Sequence, residues 1–205
     1  IANMQSSRRA YQVAEQHYDL GNDLYEAMLD KRMNYTCGYW KEAANLDDAQ
    51  EAKLDLICRK IGLKAGMQVL DLGCGTGLGS QFYRPYARLL IGVDVSSKML
   101  QKASEKNIYD DLIVFDVLQD WAFPQPFDLI YSSDVFVYFG NLDPIIRSAS
   151  SFLVQGGVIA FSVEKLEDNQ TGYQLFPSGR YAHSQRYIRN GLKQHGFALV
   201  AETDT

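Results

Sequence analysis

From about residue 67 onward, short apolar runs at 68–72, 89–93, 112–115, 127–131 and 158–163 alternate with stretches of helical periodicity. Runs that are apolar throughout, rather than at every second position, predict strands covered on both faces, as in a parallel sheet. The intervening helices carry start signals: Ser96 before Met99 and Leu100, Asp143 with Pro144 before Ile145 and Ile146, and Ser184 before Tyr187, Ile188 and Leu192. Strand and helix in regular alternation predict an α/β fold with a doubly wound, mostly parallel sheet. Gly196 ends the last helix, and 197–202 predicts a sixth strand whose partner would lie beyond Thr205. The chain opens on Ile1 and stops inside this expected strand, so it reads as a trimmed chain.

Residues 1–45 are polar and aromatic instead. Gly21 interrupts a helical pattern, and Asn22 can cap a second helix carrying Leu24, Tyr25, Met28 and Leu29. This predicts a helical N-terminal lobe over 1–45 and a main domain over 46–205. Asp47 and Gln50 form a capping-box pattern for the next helix, whose Leu54, Ile57, Cys58 and Ile61 share one face before Gly62 stops it.

Composition narrows the chemistry. In 205 residues, 46% hydrophobic and 22% charged types exclude a disordered chain, and a net charge of -5 suits extended nucleic acid poorly. A small-molecule partner is expected, with at most peripheral membrane contact: Arg59, Lys60 and Lys64 could meet lipid phosphates, but a solvated helix face is the plainer reading. No run approaches the roughly 18 apolar residues of a spanning helix, and no leader is visible. The odd cysteine count (Cys37, Cys58, Cys74) fits neither a disulfide framework nor a zinc site, which points to a reducing cytoplasm. His17 and His195 lack the carboxylate support of a metal centre, so no metal is expected.

The strongest motif is Val69-Leu70-Asp71-Leu72-Gly73-Cys74-Gly75-Thr76-Gly77, a buried strand running into alternate glycines. Such a loop lets the backbone approach a ligand at the strand ends. Asp94 closes the second strand, where it can accept both ribose hydroxyls. Asp116 closes the third and can accept from an adenine amino group, with Val95, Met99 and Val117 against the ring faces. Leu78 stands where a dinucleotide fingerprint needs its last glycine. Asp71 would repel a pyrophosphate and attract a sulfonium or ammonium group. The loop with Asp94 and Asp116 resembles the class I S-adenosylmethionine-dependent methyltransferases. That resemblance implies a Rossmann-like fold with strand order 3-2-1-4-5, S-adenosyl-L-methionine as cofactor and S-adenosyl-L-homocysteine as product. Cys74 in the loop and Ser132 after the fourth strand join the expected cofactor set.

A second resemblance rests on His17-Tyr18-Asp19-Leu20-Gly21-Asn22-Asp23-Leu24-Tyr25, Leu29-Asp30 and Met33-Asn34-Tyr35-Thr36-Cys37-Gly38-Tyr39-Trp40. Over 11–77 the chain looks like the cyclopropane-fatty-acid synthases. This implies that the lobe covers the cofactor, with Tyr18 beside it, Tyr35 and Thr36 on the methionine carboxylate, and Cys37 bordering a bicarbonate. Past the glycine loop the pattern departs. Phe136-Val137-Tyr138 stands where those synthases have Phe-Glu-His, and Ser162 where they have a histidine. Ring formation on an alkene must shed a proton, and Val137 holds no base. Residues 72–78, 128–140 and 177–184 instead resemble methyltransferases attached to tetratricopeptide repeats. Two origins remain open: a chimera joined near 67–77, or a divergent member that lost the bicarbonate site.

Cys37, Tyr138 and His183 are the candidate catalytic residues. Each also has a plainer reading: Cys37 as a small buried apolar group, Tyr138 as core packing beside Tyr39 and Trp40, and His183 as a helix-start residue bonded to backbone. The expected activity is methyl transfer to a small-molecule or lipid acceptor. Methylene transfer to an acyl-chain alkene and a non-catalytic cofactor-binding scaffold are the alternatives.

Overall fold

A computed structural model describes residues 28–31, 37–167 and 170–202. The expected cofactor contacts Tyr18, Tyr35 and Thr36, and most of the predicted lobe, lie outside the described residues.

Five strands, β1 (Met67–Leu72), β2 (Ala87–Asp94), β3 (Asp111–Val114), β4 (Phe127–Ser132) and β5 (Leu153–Phe161), form a sheet in the order β3-β2-β1-β4-β5. Every pairing in it is parallel. Alternate residues of the central strands enter opposite apolar layers, as the two-residue period demands. Leu70, Leu72, Ile91, Val93 and Ile130 join one layer, while Val69, Leu90 and Leu129 join the other. The continuous apolar runs are therefore covered on both sides.

The helices are α1 (Leu46–Lys60), α2 (Ser97–Ser104), α3 (Asp143–Phe152) and α4 (Gln185–Gln194). Ser96 caps α2, accepting from the Met99 N–H at 3.3 Å, and Ser184 caps α4, accepting from the Tyr187 N–H at 3.2 Å. The expected capping box at Asp47 is displaced. Asn45 caps α1 by accepting from the Asp48 N–H at 2.9 Å, and the Asp47 carboxylate accepts from the Lys31 N–H instead.

Two further differences concern strands. β5 begins at Leu153, directly after α3 and ahead of the expected run at 158–163, and takes Gly156 (φ 78°) and Gly157 inside it. The sixth strand over 197–202 does not form among the described residues. Beyond Gly196 the chain follows α4 rather than the β5 edge: the Phe197 N–H donates to the Leu192 carbonyl at 2.9 Å, and Glu202 pairs with Arg189 at 2.7 Å.

A small second sheet went unforeseen. It has β6 (Glu164–Lys165), β7 (Tyr173–Leu175) and β8 (Tyr181–His183), with β8 in the middle. Strands of two or three residues leave no periodic signal.

Candidate functional site

In a parallel sheet the strand ends converge on one side, and the order reverses between β1 and β4, where a crevice opens. The glycine loop leaves β1 at this point. The Gly73 and Cys74 N–H groups donate to the Val93 carbonyl at 2.8 and 3.0 Å, fastening the loop to the end of β2. The Gly75 N–H donates to Asp94 Oδ2 at 2.9 Å, while Asp94 Oδ1 accepts from the Ser96 N–H at 2.8 Å. One carboxylate thus ties the loop to the start of α2. Burial raises the Asp94 pKa, opposed by hydrogen bonds from the Ser96, Gly75 and Val95 backbone.

All three loop glycines have positive φ, at 69°, 54° and 75°, but only one faces open space. A Cβ on Gly73 would collide with Val135, and one on Gly77 would lie 2.9 Å from the Tyr109 ring. A Cβ on Gly75 would meet nothing within 4 Å. Gly75 thus faces open space, while Gly73 and Gly77 stand against Val135 and Tyr109, so packing alone already requires a glycine at these two positions.

The expectation for Asp71 is corrected. It is only 5% exposed, so it does not offer its charge to an open site. Its Oδ2 accepts from Ser80 Oγ and from the Tyr109 hydroxyl, the latter at 2.9 Å. Burial pushes its pKa up to about 6 against these two hydrogen bonds. Burial likewise raises the Tyr109 hydroxyl and the Cys74 thiol, reinforced for both by the Asp71 charge. The sequence reading missed Ser80 and Tyr109. A usable signal was Gly92 inside a strand, since a Cβ there would lie 2.6 Å from the Tyr109 ring.

Around Asp94 the expected apolar surface is partly present. Val95 is exposed and Met99 half-buried at the start of α2. The Phe115 N–H donates to the Asp94 carbonyl at 3.0 Å, which sets Asp116 beside this end of β2. Asp116 Oδ1 accepts from the Leu118 N–H at 3.0 Å. Val117 is buried in the core, its carbonyl accepting from Trp121 Nε1 at 3.0 Å, so it presents no face to a ring; Leu118 beside it is exposed. Ser132 is buried as well, and its hydroxyl donates to the Leu72 carbonyl at 3.0 Å. It joins β1 to β4 instead of meeting a ligand.

The segment after β4 carries residues expected on the acceptor side. Val137 is buried, and the half-buried Tyr138 ends the short turn Phe136–Tyr138. The Arg180 guanidinium lies 5.7 Å from the Tyr138 ring centroid and pairs with both Asp134 and Glu164. Ser162, at the position expected for a histidine, accepts from the Asp134 N–H at 2.8 Å. Cys37 is exposed, with a free thiol. Burial lowers the pKa of Lys53, opposed by Asp30 and Cys37.

His183 does not serve as a base. It is 1% exposed, and its Nε2 lies 2.9 and 3.1 Å from the Phe139 and Gly140 carbonyls. Carbonyls only accept, so Nε2 carries the proton. Nδ1 has no partner, and burial lowers the pKa. A cavity of about 430 Å³ between α3 and α4, lined by Ile146, Tyr187 and Asn190 among others, includes none of the expected site residues.

A parallel sheet in this order, with a glycine loop after its first strand and a carboxylate holding that loop from its second, defines a Rossmann-like methyltransferase fold. The chain belongs to the mycolic acid cyclopropane synthetase family, whose sequence model matches residues 5–204. It is 45% identical over 142 residues to the cyclopropane-fatty-acyl-phospholipid synthase of Escherichia coli (strain K12), covering 68% of this chain and 37% of that protein. It is 31% identical over 153 residues to cyclopropane mycolic acid synthase 1 of Mycobacterium tuberculosis (strain ATCC 25618 / H37Rv), covering 70% of this chain and 52% of that protein. The chain thus spans between about a third and a half of the length of these relatives. The fold matches the cyclopropane synthase MmaA2 of M. tuberculosis with a TM-score of 0.74 at 24% identity, covering 93% of this chain and 76% of that one. It matches mycolic acid cyclopropane synthase CmaA1, complexed with SAH and CTAB, with a TM-score of 0.73 at 23% identity and the same coverage. No helix among the described residues is long and apolar enough to cross a membrane.

Proposed function

We propose that the chain carries the S-adenosylmethionine-binding, catalytic part of a one-carbon transferase acting on the acyl chains of lipids, in the cytoplasm. Family membership supports the reaction class. The observation that carries the cofactor is Asp94, which holds Gly75 and Ser96 at the crevice beside the one loop glycine facing open space.

In this reading Asp94 accepts from the ribose hydroxyls, Asp116 from the adenine amino group, and Val95, Met99 and Leu118 supply apolar surface. Tyr18, Tyr35 and Thr36 hold the methionine end. Bound there, the cofactor supplies a methyl group already activated on a sulfonium. The protein's work is then to align the acceptor for in-line displacement and to exclude water.

Methyl transfer and ring closure both add the methyl carbon to the alkene, release the thioether and must then shed one proton. Ring closure takes it from the added methyl group and needs a base placed there, whereas a methyl-branched alkene can lose it from the chain to water, and the acceptor side favours the latter. Val137 carries no base, the Ser162 hydroxyl already accepts a backbone N–H, and His183 is sealed from the site. One family model runs through both halves and across 67–77, which favours a divergent member of the family over a chimera.

The test is calorimetric titration with S-adenosylmethionine and S-adenosylhomocysteine, then incubation with vesicles of unsaturated phosphatidylglycerol. Expected are binding of both and acyl chains heavier by one CH2 without the high-field proton signals of a cyclopropane. Those signals would restore the ring-forming reaction. Binding with no change in the lipid would refute the lipid acceptor, and no binding would refute the cofactor assignment.

A further inference from the structure

The residues on either side of Tyr138 are held at two points by a single short strand. We propose that β8, together with Arg180 just before it, is a positioning element: Arg180 and His183 grip the segment 134–140 from both ends and fix Tyr138 at the acceptor edge of the glycine loop. The inference rests on the acceptor side proposed above.

A chain of contacts carries it. Val135 occupies the space that a Cβ on Gly73 would need, so the segment rests directly on the glycine loop. The Tyr138 N–H donates to the Val135 carbonyl at 3.0 Å, which makes the placement of Tyr138 follow that of Val135. At one end of the segment Asp134 adopts φ 58°, a left-handed conformation that aspartate tolerates. Its carboxylate receives Arg180, whose other edge binds Glu164 of β6 and whose face lies over the Tyr138 ring. A planar guanidinium satisfies two carboxylates and an aromatic face together, which an ammonium cannot.

At the other end, His183 Nε2 donates to the Phe139 and Gly140 carbonyls. There is no slack there, because a Cβ on Gly140 would lie 2.6 Å from the Tyr173 ring and 2.8 Å from that of Tyr181. Between the two grips Phe136 and Val137 are buried, so Tyr138 is the side chain this arrangement presents. Arg180 and His183 thus act through Tyr138 and not on the reacting atoms.

The test compares Arg180→Met, Arg180→Lys, His183→Phe and His183→Gln. With unsaturated phosphatidylglycerol vesicles, Arg180→Met and His183→Phe are expected to raise the vesicle KM about tenfold, with S-adenosylhomocysteine affinity changed by less than about threefold. His183→Gln, whose amide can donate to the same carbonyls, is expected to recover most of the loss, and Arg180→Lys little of it. Affinity falling in step with KM, or an unmoved KM, would overturn the proposal. Arg180 is partly exposed, so its variants carry the test if His183→Phe does not fold.

If the unaltered chain binds S-adenosylhomocysteine but leaves the vesicles unchanged, the lipid reading fails. The positioning role is then read from the fluorine resonance of 3-fluorotyrosine at 138, assigned by its loss in Tyr138→Phe. A resonance that moves in Arg180→Met and His183→Phe and returns in His183→Gln supports the proposal. One that stays in place overturns it.

Discussion

Gly73 and Gly75 stand two residues apart with similar backbone angles, yet their substitution should read out differently. Gly73→Ala adds a collision with Val135 to the strain of positive φ, so a loss of about 2–4 kcal/mol is expected in urea unfolding, partly recovered by Val135→Ala. Gly75→Ala meets no neighbour and should cost about 1 kcal/mol, with its larger effect on cofactor affinity. Asp71 makes a prediction about pH. Its folded pKa of about 6 exceeds the ordinary carboxylate value of about 3.9, so the folded state holds the proton more tightly. Its contribution to stability is therefore full below pH ~4 and is lost as pH rises to about 6, by roughly 2–3 kcal/mol in all. Asp71→Asn should remove that slope, and the stability difference between variant and parent should move in the variant's favour across this window. A difference independent of pH would contradict the assignment. The position of Asp94 was legible in the sequence because it closes an apolar run. Ser80, Tyr109 and Val135 were not, because their roles depend on contacts between distant segments. Ser132 and Val117 were misassigned because sequence position gives the strand end but not which way a side chain points.

Among the elements, the five parallel strands were readable because such strands are continuously apolar and helices with identifiable starts separate several of them; their order, β3-β2-β1-β4-β5, was implied by the resemblance carried by the glycine loop with Asp94 and Asp116. What escaped was anything set by a few residues. Gly156 and Gly157 add no apolar side chain to the pattern, so β5 was read only from 158, the second sheet was too short to show periodicity, and 197–202 looked like a strand although Glu202 carries it back to Arg189. The start of α1 provides an expected outcome at this scale. Replacing Asn45 by Ala should cost about 1 kcal/mol in thermal unfolding, since it removes the side chain that accepts from the Asp48 N–H. A neutral result would return the cap to Asp47.

For the whole molecule, the glycine loop is where the elements meet: β2 holds it through Asp94, β1 supplies it, and the segment after β4 leans on it through Val135. Fold and family place these parts together, and the account of function turns on whether a cofactor settles among them. The most direct measurement is calorimetric titration of the chain and of its Asp94→Ala variant with S-adenosylhomocysteine. Expected are saturable binding by the parent chain and at least about tenfold weaker binding by the variant, which loses the carboxylate that ties the loop and that is proposed to receive the ribose. Equal affinity in the two, or no binding by the parent chain, would contradict the account.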